Sequence, residues 1–265
     1  MKAPRADVKR IGVLDSGVGG LSVLREIHSL LPNYPTLYFA DQAHIPYGTR
    51  PPDEIAGFVE RIAEFLIERG ARVIVLACNA ASAASLLDLR ARHPAIPFVG
   101  MEPAVKPAVE ATRTGAIGVL TTRATANGEL YRRVLNRYAD GVCVITQVAP
   151  ELVTMVEAGT QDDEASTAVL RLAVQPMLDA GADQIVLACT HFPFLKDRLA
   201  AIAGVNLIDP SAAVARQVAR VLPSDLAPSD AENLYFTSGS PVTFHAILRR
   251  LTGVDADVQA VSALS

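Results

Sequence analysis

The sequence has no tryptophan and only three cysteines, which are Cys78, Cys143 and Cys189. Three thiols are too few, and odd in number, for the disulfide framework of a secreted protein. This cysteine usage is typical of a reducing compartment, and we expect the chain to be cytoplasmic. Each of the three thiols needs its own explanation.

An excess of basic residues is also missing. The chain has 24 Lys and Arg against 28 Asp and Glu, which gives a formal net charge of -4 and a pI near 5.7. Such a chain lacks the positive field that attracts a phosphate backbone. Nucleic acid is therefore not an expected partner.

Long apolar runs are absent as well. The longest uncharged stretch, residues 73–87, contains Asn79, Ser82 and Ser85 and is too short and polar to span a bilayer. The first residues include basic side chains but reach only the apolar run 11–14 before Asp15, which does not predict a signal peptide. We expect no membrane partner.

What the sequence does have is a regular alternation of strand and helix patterns. Half of its 265 residues are apolar, enough for a sizeable core. Short β-branched runs alternate with amphipathic stretches, which predicts parallel sheets with crossover helices. The runs are 11–14, 36–39, 73–77, 97–100, 117–120, 142–148, 185–188 and 207–208. Two helices are well marked, over 52–69 and 162–180, and Pro176 is expected to kink the second in its last turn.

An internal repeat organises this alternation. Ile-Gly-Val-Leu begins at 11 and again at 117, and Ile-Val-Leu-Ala-Cys begins at 74 and again at 185. The order and nearly the spacing agree, so we predict two similar doubly wound α/β domains related by a pseudo-two-fold axis. The repeat ends near Ser211, which predicts one domain from 1–102 plus 212–265 and another from 103–211. Open α/β sheets bind ligands at strand ends, which predicts a site in the cleft between the domains.

Both repeated strands end at a thiol. Cys78 and Cys189 are then expected on opposite walls of the cleft, each at the start of a helix whose dipole favours the thiolate. Inverting a stereocentre by proton transfer needs one base on each face, and this pair meets that demand. The alternative is that each is a small buried hydrophobe, which is common for free cysteine. For Cys143, which has no polar neighbour, we predict such a core role.

Other polar residues follow the strands. Asp15-Ser16-Gly17 leads into Gly19-Gly20, a loop whose bare N–H groups suit an anion, and a carboxylate more than a phosphate. Ser22 stands where the dinucleotide fingerprint needs its third glycine. Pro46-Tyr47-Gly48 reads as a turn presenting backbone donors and a phenol. Only His191 lies close in sequence to a candidate thiol, and Cys189-Thr190-His191 has no zinc spacing, so no metal is predicted.

Taken in order, these motifs resemble the glutamate branch of the aspartate/glutamate racemase superfamily. The similarity runs from residue 11 to about 209 and continues more weakly to the last helix. It rests on Asp15-Ser16-Gly17-Val18-Gly19-Gly20, Pro46-Tyr47-Gly48, Ala77-Cys78-Asn79, Gly118-Val119 with Thr122 and Thr125, Val156-Glu157 with Gly159, Cys189-Thr190-His191 with Pro193, and Phe236-Thr237-Ser238-Gly239.

The resemblance implies a cofactor-independent 1,1-proton transfer between L- and D-glutamate, the latter supplied to peptidoglycan for cell-wall synthesis and cell shape. It implies that Cys78 takes the α-proton from the D-enantiomer, assisted by Asp15, and Cys189 from the L-enantiomer, assisted by His191 and Glu157. The substrate-binding residues it implies are Asp15, Ser16, Pro46, Tyr47, Gly48, Asn79, Ala80, Thr122, Thr125, Thr190 and His191. It leaves open whether the chain forms a homodimer.

One departure bears on the substrate. Ala80 stands where the family usually has Thr, which removes a hydroxyl expected to hydrogen-bond the substrate. Losing such a partner typically costs about 1–3 kcal/mol. Two alternatives therefore stay open: a related racemase acting on another small amino acid or dicarboxylate, and a ligand-binding homologue without catalysis. A disulfide switch between Cys78 and Cys189 is a weaker alternative, because neither has a C-x-x-C partner.

Overall fold

A computed structural model describes residues 8–261. Its strands are β1 (Arg10–Asp15), β2 (Thr36–Ala40), β3 (Ala71–Leu76), β4 (Phe98–Gly100), β5 (Ala116–Thr121), β6 (Cys143–Val148), β7 (Gln184–Ala188), β8 (Asn206–Ile208), β9 (Leu234–Thr237) and β10 (Val258–Ala260). Its α-helices are α1 (Leu21–Leu30), α2 (Pro52–Glu68), α3 (Asn79–Arg92), α4 (Val105–Ala111), α5 (Arg123–Asn127), α6 (Glu129–Tyr138), α7 (Pro150–Ala158), α8 (Ser166–Asp179), α9 (Lys196–Ala203), α10 (Ser211–Val221) and α11 (Pro241–Thr252). None of the helices in this range is long and apolar enough to cross a membrane.

The strands form two sheets in which every pairing is parallel. The first sheet has the order β10-β9-β2-β1-β3-β4 and the second the order β6-β5-β7-β8. Helices separate consecutive strands, as parallel crossovers require. The predicted fold class, two doubly wound parallel α/β domains, is confirmed.

The repeat is visible in the strand pairing. In the first sheet Gly12 pairs with Ile74, and in the second the matching Gly118 pairs with Ile185. The central order β2-β1-β3-β4 therefore corresponds to β6-β5-β7-β8. Because the repeated strands hold the same places and register in both sheets, their carboxyl ends present Cys78 and Cys189 at equivalent positions.

All eight apolar runs form strands, and the helix predictions hold with one shift. α2 starts at Pro52, with Asp53 and Glu54 in its first turn where the helix dipole favours negative charge. α8 begins at Ser166, later than predicted, because residues 160–166 form consecutive turns closed by backbone bonds such as Ser166 N to Asp163 O. Pro176 lies inside the last part of α8.

The chain after Ser211 returns to the first sheet. β9 pairs with β2 and β10 pairs with β9. The ring of Phe244 on α11 stacks on Tyr38 of β2 at 5.8 Å, and α10 packs against α1. This connectivity is compatible with a domain of 1–102 plus 212–265 and one of 103–211, which stays a prediction. Its extreme ends, residues 1–7 and 262–265, lie outside the described residues.

The prediction that Cys143 is a core residue is wrong. Its side chain is exposed, because β6 is an edge strand of the second sheet and Cys143 is the first residue of that strand. The Val-rich flanks that suggested burial belong to a strand whose residues are only partly covered.

The exposed thiol gives a first testable result. We expect Cys143→Ser to leave the catalytic rate within about two-fold and stability within about 0.5 kcal/mol, as for most surface substitutions. We also expect iodoacetamide to label Cys143 before the two buried cysteines, which mass spectrometry of the digested protein can follow over time. Labelling of Cys78 or Cys189 ahead of Cys143 would contradict this assignment.

Candidate active site

A single cavity receives residues from the strand ends of both sheets. From the first half come the loop after β1, the turn before α2 and the start of α3. From the second half come the starts of α5 and α7 and the segment after β7. Its lining residues are Ser16, Pro46, Tyr47, Gly48, Thr49, Cys78, Asn79, Ala80, Thr122, Arg123, Pro150, Val153, Ala188, Cys189, Thr190 and His191. Both repeated thiols therefore line one cavity.

Cys78 lies at the N-cap of α3 and is 7% exposed. Its Sγ is 3.9 Å from Ser16 Oγ. Burial, together with the negative charge of Asp15, raises the pKa of the Cys78 thiol to about 12. Cys78 is thus held as a thiol, ready to give a proton.

Cys189 has a different partner. Its Sγ is 3.7 Å from His191 Nδ1, and His191 Nε2 is 2.7 Å from Glu157 Oε1. Burial lowers the pKa of His191, but the bonds to Cys189 and Glu157 outweigh it, and the pKa lies well above its ordinary value. Burial raises the pKa of Glu157, but its bonds from His191 and Val18 N leave that pKa below its ordinary value. An imidazolium held between thiol and carboxylate can stabilise a Cys189 thiolate.

The backbone N–H groups of the glycine loop after β1 bind carboxylates, and these carboxylates are side chains of the protein itself. Gly17 N donates to Asp15 Oδ2 and Val18 N donates to Glu157 Oε1. A Cβ at Gly17 would lie 2.2 Å from Glu157 Oε1, and one at Gly19 would lie 2.5 Å from His191 Nδ1. The bare backbone is needed so that Glu157 and His191 of the second half can approach the first.

Asp15 lies fully buried behind the lining residues. Thr190 Oγ1 donates to Asp15 Oδ1 across the two halves at 3.2 Å. Burial raises the pKa of Asp15 above its ordinary value, although the charge on His191 and the N–H groups of Gly17 and Gly20 oppose the rise. Asp15 is thus hydrogen-bonded to the residue that follows Cys189, and its charge acts on Cys78.

The Pro46-Tyr47-Gly48 turn is fastened by a buried carboxylate. Tyr47 OH donates to Asp41 Oδ2 at 2.5 Å, His44 Nδ1 is 2.8 Å from Asp41 Oδ1, and Ser238 Oγ donates to the same oxygen at 2.6 Å. Burial and the Asp41 charge raise the pKa of Tyr47 far beyond its ordinary range. Tyr47 therefore enters the cavity as a neutral phenol with its proton already engaged.

Two polar side chains in the wall differ in their pairing. Asn79 is 4% exposed, and neither its Nδ2 nor its Oδ1 has a hydrogen-bond partner. Thr122 Oγ1 donates to Thr125 Oγ1 at 3.3 Å. Buried amides are normally paired, so Asn79 is a donor and acceptor that a polar ligand in the cavity can satisfy.

Most of the predicted site residues line the cavity. The predicted residues that do not reach it are Asp15, Thr125 and Glu157, which touch lining residues from behind. Sequence reasoning missed the lining residues Thr49, Arg123, Pro150, Val153 and Ala188. Thr49 and Arg123 directly follow predicted residues, and extending each motif by one position would have found them. Pro150 and Val153 had no signal, because only the fold brings α7 to the cavity.

The described residues do not provide the arrangement of ligands that a metal ion needs. Among residues 8–261 no group of three or more His, Cys, Asp or Glu side chains is arranged to hold a metal ion. The acid–base groups at the cavity are instead committed to one another in the pairs described above.

Comparison with known proteins shows similarity in sequence and in overall fold. A family model described as Asp/Glu/Hydantoin racemase matches residues 11–218. A glutamate racemase of Roseiflexus is 49% identical over 248 residues, 91% of each chain. The crystal structure of the Francisella tularensis glutamate racemase in complex with D-glutamate has a TM-score of 0.85 at 28% identity, covering 98% of this chain and 99% of that one.

A second solved structure extends the similarity. The Escherichia coli glutamate racemase in complex with L-glutamate and the activator UDP-MurNAc-ala has a TM-score of 0.84 at 33% identity and covers 95% of this chain and 97% of its own. The matches in sequence and fold extend over nearly the whole chain. The chain therefore belongs to the Asp/Glu/hydantoin racemase family and is an isomerase, a racemase of that family.

Proposed function

We propose that the protein interconverts L- and D-glutamate by a two-base proton transfer between Cys78 and Cys189. The observation that carries this proposal is that two thiols from opposite halves line one cavity, with Cys78 beside Ser16 and subject to the charge of Asp15, and Cys189 beside His191. Racemisation needs a proton removed from one face of the α-carbon and delivered to the other. A pair of thiols on opposing walls supplies both transfers.

Glutamate is the proposed substrate because relatives covering most of the chain are glutamate racemases, and two were solved with D- and L-glutamate. The cavity offers the unpaired amide of Asn79 and the cation Arg123 for carboxylates. Since the net charge of the protein is -4, an anionic substrate must be attracted by these local donors against the overall field.

The reaction is proposed to run as follows for L-glutamate. The Cys189 thiolate, stabilised by the His191 imidazolium, takes the α-proton, and the Cys78 thiol gives its proton to the opposite face of the carbanion. The Cα–H bond breaks and re-forms with no net change in electrons. For D-glutamate the roles reverse, with Asp15 beside Cys78. Both thiols are buried, and a low-dielectric environment strengthens these electrostatic interactions.

Cofactor independence is part of this proposal. A pyridoxal route needs a lysine to form a Schiff base with the cofactor, and none of the residues that line the cavity is a lysine. The two thiols supply the proton transfers without it. D-glutamate made this way in the cytoplasm would serve peptidoglycan synthesis.

Circular dichroism tests the activity directly. Purified protein, dialysed against a chelator and given no cofactor, is expected to bring pure L- or D-glutamate to zero ellipticity. Unchanged ellipticity with both enantiomers would overturn the proposal. Tight glutamate binding without α-proton exchange would then identify a ligand-binding homologue.

Ala80 favours a second candidate function, that of a racemase whose preferred substrate is another small amino acid. Ala80 is 5% exposed and lines the cavity, so its short side chain leaves room where a hydroxyl would bind glutamate. A substrate panel decides: rapid racemisation of aspartate with negligible turnover of glutamate would support this candidate.

Restoring the hydroxyl tests the same position. We expect Ala80→Thr to raise kcat/KM for glutamate by about ten-fold, because one hydrogen bond to a charged group contributes about 1–3 kcal/mol. Ala80→Val is the matched control, since it adds the same volume without the hydroxyl. Equal effects of Ala80→Thr and Ala80→Val would contradict the role assigned to the hydroxyl.

A further inference from the structure

The carboxylate that supports His191 accepts hydrogen bonds from residues in the first half of the molecule. Glu157 lies on α7, whereas two of its donors lie beyond β1 and β2: Val18 N at 2.9 Å from Oε1 and Gln42 Nε2 at 3.4 Å from Oε2. Glu157 is mostly buried, with 17% of its side chain exposed. The sequence motifs account for Val18 but give no role to Gln42.

The orientation of the Gln42 amide is fixed by a second hydrogen bond. Thr237 Oγ1, at the end of β9, accepts from Gly239 N at 3.0 Å. Its one proton is thus free to go to Gln42 Oε1, which is 3.1 Å away. With Oε1 accepting, Nε2 must point to Glu157. Thr237 is fully buried, so bulk solvent does not compete for its hydroxyl.

From this chain of contacts we propose that Gln42 is a positioning residue for the Cys189 base. Its amide accepts a hydrogen bond from Thr237 and donates one to Glu157. Glu157 in turn orients the imidazole that faces the Cys189 thiol. The assignment rests on the proposed two-thiol racemisation. It concerns only one of the two bases, because Gln42 makes no contact with Cys78 among the described hydrogen bonds.

The groups that act on Glu157 come from several elements. His191 follows β7 and donates to it, and the charge of Glu157 also acts on Asp15 and on the buried phenol of Tyr38. Gln42 is itself neutral, so replacing it changes the alignment of Glu157 without changing net charge.

Two uncharged substitutions test the hydrogen bonds that link Thr237, Gln42 and Glu157. Gln42→Met keeps the length of the side chain and removes the amide, and Thr237→Val keeps the shape and removes the hydroxyl. We expect Gln42→Met to lower kcat/KM by about ten-fold, in the range of one lost hydrogen bond to a charged group, and Thr237→Val to lower it less. Thr237→Ser, which retains the hydroxyl, is expected to keep the wild-type kcat/KM.

Directional isotope effects separate positioning from general damage. Because enantiomers have equal free energy, kcat/KM must be the same in both directions for every variant. The substrate isotope effect can still differ: α-deuterated L-glutamate reports on the Cys189 transfer and α-deuterated D-glutamate on the Cys78 transfer. We expect Gln42→Met and Thr237→Val to raise the first effect relative to the second.

The outcomes are distinct. Wild-type protein that does not racemise glutamate refutes the proposed function itself. Active wild-type protein with an unchanged Gln42→Met variant, or a variant in which both isotope effects change equally, overturns the positioning role alone. Gln175→Met is the matched control, since Gln175 also donates to a carboxylate, Asp179, but on an exposed face of α8. It is expected to behave as wild type.

Discussion

Replacing either cavity thiol is expected to stop racemisation while leaving one half of the chemistry intact. Cys78→Ser and Cys189→Ser should each lower kcat by about 10²- to 10⁴-fold, the usual contribution of a positioned acid or base. A serine hydroxyl has nearly the same size, so the fold should persist. The loss follows from chemistry, since an alcohol is a far weaker acid than a thiol and cannot replace it at neutral pH.

The remaining thiol gives each variant a distinct signature. In Cys78→Ser, Cys189 can still remove the α-proton of L-glutamate and return a solvent proton to the same face. We therefore expect exchange of L- but not D-glutamate in D₂O, and the reverse for Cys189→Ser. Proton NMR of the α-position measures both. Wild-type racemisation by either variant would contradict the two-base scheme, and Cys143→Ser serves as the matched thiol control.

Loss of the Glu157 charge is expected to change the pH profile as well as the rate. Glu157→Gln removes the negative partner that raises the pKa of His191, so that pKa should fall. A group with a raised pKa keeps its proton until the pH passes that value. The alkaline limb of kcat/KM should therefore move to lower pH, and kcat near neutral pH should fall by about 10- to 100-fold.

The control for this prediction is a carboxylate of the same kind outside the cavity. Glu54→Gln removes an exposed partner of Arg50 at the start of α2 and should leave the profile unchanged. If Glu157→Gln lowers the rate without shifting the alkaline limb, Glu157 does not act through the His191 proton.

The fold could be predicted from sequence because its signals are local and repeated. Alternating apolar runs located β1 to β8, and the duplicated tetrapeptide and pentapeptide placed Gly12 and Gly118 in equivalent registers. β10 was not predicted, because Val258–Ala260 is a short edge strand that pairs only with β9 and buries little apolar surface. Cys143 was misjudged for a related reason, since a β-branched context does not distinguish an edge strand from a central one.

The site was predictable only where its residues belong to motifs. The Cys78 and Cys189 motifs indicated which residues enter the cavity. The glycine loop indicated a carboxylate, but not that the carboxylates would be those of Asp15 and Glu157. Gln42 carried no sequence signal, because its role depends on a contact between a turn in the first half and a helix in the second.

The most direct test of the central claim is racemisation of L-glutamate in D₂O, sampled at low conversion by mass spectrometry after chiral separation. A two-thiol mechanism predicts that the D-glutamate formed carries one deuterium at the α-carbon while the remaining L-glutamate carries none. The proton removed by Cys189 and the deuteron delivered by Cys78 belong to different groups. D-glutamate that retains its original α-proton would contradict this account and indicate a single base acting on both faces.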